Sequence, residues 1–226
     1  MKRITDVFFD LDHTLWDFEK NSALAFETIL KEYDVRVNLG QFLSFYVPLN
    51  FQYWVKYRNE EISQEELRYR RLKDTFDLLH YEIDDSVIHK LSDAYIQYLP
   101  TYNHLFDGTF EILDYLSSKY RLHIITNGFH EIQNLKIQNS NIAHYFTTVT
   151  NSESAGVKKP NPIIFEHAVN LANARPENSI MIGDCIDADV RGALQCGFDA
   201  ILFSGNGCDD QSIKKVATLS ELKNYL

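Results

Sequence analysis

The chain has 226 residues, 45% of them hydrophobic and 24% charged, and a formal net charge of −10. That length holds one large domain, or a core domain with a smaller one inserted. The acid excess excludes a general nucleic-acid binder, which would turn basic surface to phosphates, but leaves a small anionic substrate open, because one local lysine and a metal ion outweigh the global field at close range.

Residues 4–9 read as a first strand, and the chain around its end is "DVFFDLDHTL". If the strand continued, Asp10 and Asp12 would project to the same side. Two close carboxylates repel, and each disfavours ionisation of the other. A divalent cation or a shared proton is therefore expected beside them.

The next stretch, 17–105, is poor in turns: of nine glycines only Gly40 precedes residue 108. Phe26, Ile29, Leu30 and Tyr33 recur at helical spacing, as do Leu67, Leu72, Phe76 and Leu79. Four or five helices are expected. Most of Phe42, Phe45, Tyr46, Phe51, Tyr53, Trp54 and Tyr57 should bury this segment's own core, with one or two placed to stack on a base. Arg68, Arg70 and Arg71 should lie on a solvated helix face.

From residue 108 the rhythm changes. Short apolar runs at 122–126, 146–150, 179–183 and 200–204 read as strands, with helices at roughly 109–119, 130–140, 161–173 and 187–196. Strands alternating with helices imply a parallel sheet covered on both faces. The first strand must join that sheet, so the helical stretch interrupts it. The expected division is a catalytic core of 1–16 and 106–226 with a helical cap of 17–105.

In such sheets the ligand site lies beyond the carboxyl ends of the strands. The residues expected on that rim are Asp10, Asp12, Thr126, Asn127, Lys158, Lys159, Asp184, Asp187 and Asp189. Hard carboxylate oxygens suit Mg²⁺, completed by phosphate oxygens of a substrate. Asp10 and Asp184 are candidate ligands. A carboxylate can also attack phosphorus, and a second carboxyl two residues on can serve as acid and then base. Lys159, Thr126 and Asn127 would hold the charge spread over the phosphoryl oxygens.

Four stretches, "DVFFDLDHTL", "IITNG", "GVKKPNPIIF" and "IMIGDCIDADVRGA", resemble the four ordered motifs of the haloacid dehalogenase-like hydrolase superfamily. The resemblance covers nearly the whole chain. It implies a doubly wound, Rossmann-like α/β core with an inserted helical cap. It implies Asp10 as nucleophile, Asp12 as general acid/base, Thr126 as phosphoryl binder and Lys159 as the bridge between nucleophile and phosphate. Asp184 is implied as the Mg²⁺ ligand, joined by Asp10 and the backbone carbonyl of Asp12, with Asp189 supporting the metal shell. The family's dehalogenases lack the second acid of the first motif, so Asp12 favours a phosphatase or phosphomutase. The region around "ITNGFHEIQNLKIQNSNIAHYF" resembles a subgroup of 5′-nucleotidases acting on nucleoside monophosphates, including noncanonical pyrimidine ones.

The remaining residues carry blander expectations. Lys158 should be a surface lysine, Asp187 a helix N-cap, and Arg191 an ion-pair partner on that helix. The eight histidines show no metal-ligand spacing. Cys185, Cys196 and Cys208 form no even framework and no Cys-x-x-Cys pair, and Cys185 should be a small filler residue. No signal-peptide pattern precedes the first strand, and no apolar run approaches the roughly 20 residues that span a bilayer. The expectation is a cytoplasmic monomer or homodimer whose partner is a small phosphorylated metabolite, a nucleotide first, with no nucleic acid and no membrane. A sugar phosphatase or phosphomutase is the alternative within the enzyme class, and a non-catalytic phosphate sensor or partner-binding protein the alternative outside it.

Overall fold

The computed structural model describes residues 3–203 and 210–226. Ser204, at the end of one expected strand, and Cys208 lie outside the described residues. The chain divides into two compact units, one running to Phe18 and resuming from Asn103 to Leu226, the other Glu19–Tyr102.

The first unit is built on a six-stranded sheet of β1 (Asp6–Phe9), β2 (Arg121–Thr126), β3 (Phe146–Asn151), β4 (Ser179–Gly183), β5 (Asp199–Phe203) and β6 (Lys214–Val216). The order is β3-β2-β1-β4-β5-β6 and every pairing is parallel. This is the doubly wound α/β fold, with β1 and its neighbours at the centre. Asp6, Val7, Phe8 and Phe9 are all buried, as a central parallel strand with both faces covered requires. Phe8 stacks on His123 at 4.5 Å and meets the edge of Phe198 at 5.4 Å. Around it Ile125, Phe165, Met181, Val190 and Leu202 complete one core layer.

Helices α5 (Thr109–Ser117), α6 (His130–Asn139), α7 (Ser152–Ala155), α8 (Pro162–Ala172) and α9 (Gly192–Gln195) connect the strands. The start of α8 follows from "KPNP": the Asn161 side chain caps it by accepting from the Ile163 N–H, and Pro162 takes the first turn. Register then sets the rim. Phe9 stands opposite Ile124 on one side and Ile182 on the other. Asp10, Thr126 and Asp184 therefore fall within two residues of one level at the carboxyl ends of β1, β2 and β4. The sequence reading missed β6.

The helical unit contains α1 (Phe18–Glu32) from its second residue onward, α2 (Leu39–Arg58), α3 (Gln64–Leu78) and α4 (Asp85–Tyr98). Ser63 and Glu66 form a capping box that starts α3. Its core is aromatic: the Phe26 ring lies within 5 Å of Phe42, Tyr46 and Tyr95. Phe42, Tyr46 and Tyr53 are buried there, whereas Phe51 is exposed. One expectation is overturned. Arg71 does not lie on a solvated face: it is buried, donates to Asn50 Oδ1 at 3.1 Å and sits 5.0 Å from the Tyr95 ring centre. It shares the inward stripe of Leu67, Leu72, Thr75 and Phe76, so helical phase prevailed over charge.

Candidate active site

The strand stops at Phe9, and this corrects the simplest picture of the two acids. Asp10 still pairs with β4, its N–H donating to Ile182 O at 2.8 Å. Beyond it the chain folds back on itself, with Leu11 O accepting from the N–H groups of Leu15 and Trp16 and His13 in the left-handed region at φ 62°. The carboxylates of Asp10 and Asp12 consequently meet different partners and share no proton. Asp10 faces Lys159 and Asp189; Asp12 turns to α6.

Lys159 is the hub of the first group. Its ammonium donates to Asp10 Oδ1 at 2.6 Å and Ile125 O at 2.7 Å, and lies 2.7 Å from Asp189 Oδ1. All three protons are thereby directed. Burial alone would lower its pKa, but Asp10 and Asp189 together raise it above the ordinary lysine value, so it stays charged.

The acids outnumber that one cation. Carboxylate oxygens of Asp10, Asp184 and Asp189 lie within 4.8 Å of one another. Burial, helped by Asp189 and Asp12 and opposed by Lys159, pushes Asp10 up to about 7. Burial and the charges of Asp189 and Asp10 hold Asp184 well above the carboxylate range. Three clustered acids, Asp10 and Asp189 buried and Asp184 half-buried, share one ammonium and are short of positive charge, and a hard divalent cation fits that deficit. Asp189 is the least free of the three, because its other oxygen accepts from the Cys185 N–H at 2.9 Å. Gly183 makes room for it: a Cβ there would fall 2.3 Å from Asp189 Oδ2.

On β2 the Thr126 hydroxyl oxygen accepts from the Gly128 N–H at 3.1 Å and from Gln133 Nε2 at 2.6 Å. With both lone pairs engaged, its proton is left to donate to a third group. The Asn127 side chain is committed elsewhere. It donates to Lys159 O at 3.0 Å and accepts from the Lys159 N–H at 2.7 Å, clamping the backbone that carries the lysine. A phosphate contact from Asn127 would then come from its backbone N–H.

Two residues escaped the sequence reading. Lys136 Nζ donates to Asp12 Oδ1 at 2.6 Å, and Gln133 Nε2 to Asp12 Oδ2 at 2.9 Å. The signal was their place on α6, three apart on the same stripe as Ile132 and Ile137. Asp187 also departs from expectation. It does not cap the helix but lies within a π-helical turn, Ile186–Arg191, and pairs with Arg191 at 2.7 Å on the surface. Cys185 is the N-cap, without a side-chain cap bond, and Asp189, inside the turn, reaches back to accept from its N–H. Arg191 is the ion-pair partner expected.

The fold and this rim define an α/β enzyme with its reactive groups gathered at the carboxyl ends of the central strands. The haloacid dehalogenase-like hydrolase profile matches residues 7–203. The chain is 32% identical over 200 residues to the pyrimidine 5′-nucleotidase PynA of Streptococcus pneumoniae, covering 88% of this chain and 83% of that one. It is 29% identical to the pyrimidine 5′-nucleotidase YjjG of Escherichia coli, covering 84% and 82%. Its fold superposes on magnesium-bound YfnB of Bacillus subtilis with a TM-score of 0.88 at 24% identity, covering 100% and 99%. The chain belongs to the haloacid dehalogenase-like hydrolase family. Within that family it is a phosphoric monoester hydrolase. Among the described residues no helix is long and apolar enough to cross a membrane.

Proposed function

We propose that the chain is a Mg²⁺-dependent phosphatase of nucleoside 5′-monophosphates that works through an aspartyl-phosphate at Asp10. The observation that carries this reading is the charge imbalance at the rim: three clustered acids, two of them buried, around one fixed ammonium, beside a threonine hydroxyl whose proton is still to be given. The family resemblance and the two nucleotidase relatives support the phosphate chemistry and the nucleotide class.

Asp10 and Asp184 would hold the metal together with the Asp12 backbone carbonyl, and Asp189 would orient that shell through Lys159 and the Cys185 N–H. When bound, Mg²⁺ supplies positive charge against the phosphoryl oxygens. Asp10 attacks phosphorus: an Asp10 O–P bond forms as the bond to the nucleoside oxygen breaks. Asp12, which must enter the cycle protonated on a lone pair that Lys136 and Gln133 leave open, gives that oxygen its proton. Asp12 then takes a proton from water as the water oxygen bonds to phosphorus and the Asp10 O–P bond breaks, releasing phosphate. Lys159 and the Thr126 hydroxyl hold the charge spread over the oxygens.

The test is phosphate release from a panel of nucleoside monophosphates and sugar phosphates, with Mg²⁺ and then with EDTA. Activity on pyrimidine nucleotides that EDTA abolishes is the expected result. Preference for a sugar phosphate would transfer the reading to a sugar phosphatase. A folded protein silent on every member would remove it.

A further inference from the structure

Helix α6 buries the wrong residue. Lys136 is 2% exposed while its neighbour Leu135 is 37% exposed, the inverse of what core formation alone prefers. The buried ammonium is held on one side by Asp12 Oδ1 and on the other by aromatic faces, 4.3 Å from the Trp16 ring centre and 5.3 Å from that of Phe18. Trp16 belongs to the turn that follows Asp12, so the lysine is fixed from both ends of one short loop.

Gln133 completes the arrangement. One nitrogen, Nε2, reaches both Asp12 Oδ2 and Thr126 Oγ1. The amide cannot be reversed, because its oxygen would then face a carboxylate. Gly128 gives it space: a Cβ at that position would lie 2.4 Å from the Gln133 side chain. Both carboxylate oxygens of Asp12 are thus occupied by donors from one helix, and one of those donors also touches the hydroxyl assigned to the phosphoryl group.

We propose that Lys136 and Gln133 are positioning residues for this hydrolysis, holding the Asp12 carboxylate in fixed register with Thr126. The inference rests on the proposed reading, in which Asp12 protonates the leaving oxygen and later deprotonates water. A carboxylate free to rotate would spend much of its time out of reach of that oxygen, and near-attack geometry is worth large factors in rate. The two residues act through Asp12, and Gln133 also through Thr126.

The experiment compares two substrates that differ in their need for a proton. One is whichever alkyl phosphate of the panel the wild type turns over; the other is p-nitrophenyl phosphate, whose phenolate departs unprotonated. The readout is kcat/KM, which covers the steps up to departure of the leaving group. Lys136→Met keeps the stem against Trp16 and removes the donor. It should lose about 10–100-fold on the alkyl phosphate, part of the range expected for a general acid, and under about threefold on p-nitrophenyl phosphate. Inhibition by inorganic phosphate should be unchanged, and Lys136→Arg should recover most of the loss. Gln133→Met also releases the Thr126 hydroxyl, so it should lose on both substrates but at least about threefold more on the alkyl phosphate, and it serves if Lys136→Met does not fold. Equal losses on both substrates, or none on either, would overturn the positioning role while leaving the phosphatase reading intact. A wild type silent on both substrates would overturn the phosphatase reading, and the positioning role with it.

Discussion

Strand β1 has a buried carboxylate at each end, and the two are treated differently. Asp6, at its start, accepts from Thr5 Oγ1 at 2.6 Å, pairs with Arg121 at 2.7 Å and meets His123 Nε2 at 3.1 Å. The other nitrogen of His123 reaches Thr148 Oγ1 at 2.8 Å. One acid, one permanent cation and a closed set of hydrogen bonds make a finished structure. Asp10, just beyond the strand's other end, shares a single ammonium with Asp184 and Asp189. A carboxylate kept for folding finds its counter-charge within the chain; the rim lacks part of its own, which is the pattern of a binding site rather than of a structural ion pair.

The sharpest way to break that contrast is to neutralise each acid in turn. Asp10→Asn should reduce phosphate release to the assay background, since an amide is a poor nucleophile, while the metal-free protein stays folded and no less stable to heat. Near-normal rates in this variant would end the covalent mechanism. Asp12→Asn should cost on the order of 10²–10⁴ in kcat, accumulating phosphorylated enzyme if the second half-reaction suffers more, as acid-quench labelling would show. Asp6→Asn belongs to the opposite class. It removes the counter-charge of Arg121, which is partly exposed and keeps the Ala172 and Asn173 carbonyls, and should remove about 1–2 kcal/mol of stability, lowering Tm by about 2–8 °C, with kcat/KM near wild type at a temperature where both fold. A large activity loss without a fall in Tm would erase the distinction between the two ends.

How much of this could be read in advance differs between fold and site for physical reasons. The strands are apolar runs between turns, and their order of appearance with intervening helices dictates a parallel sheet. The four motifs then place Asp10, Thr126, Lys159 and Asp184 on one rim. Strand β6 was missed because "KKV" at a sheet edge carries charge where an inner strand would be apolar. Arg71 and Lys136 were misjudged or overlooked because residue type suggests solvent while helical phase puts both inside. The π-helical turn that removes Asp187 from its capping place and delivers Asp189 depends on long-range partners, Lys159 above all. Motif spacing names such residues but does not show what holds them.

The smallest predicted effect is also the one that tests both ends of β1 in a single experiment. Asp10 has its pKa raised by burial to about 7, against roughly 3.9 for an unfolded aspartate. Between those values the metal-free folded state keeps a proton that the unfolded chain has lost, so stability falls as pH rises through that window. A bound Mg²⁺ would take the place of that proton. The rise in Tm that Mg²⁺ produces over EDTA should therefore be slight near pH 5.5, grow through pH 7 and level off above it. His123 has the opposite sign: burial, outweighing the pull of Asp6, lowers its pKa from 6.5, so the unfolded state takes up the extra proton. The stability it contributes is present above about pH 6.5 and lost as pH falls, with or without Mg²⁺. Thermal melts from pH 5.5 to 8 with Mg²⁺ or EDTA, repeated on Asp10→Asn and Asp6→Asn, separate the two contributions. The metal-dependent slope should shrink in the first variant, where Asp184 alone keeps a raised pKa, and survive unchanged in the second, and a Mg²⁺-induced shift flat across that range would mean that the ion does not compete with the proton on Asp10.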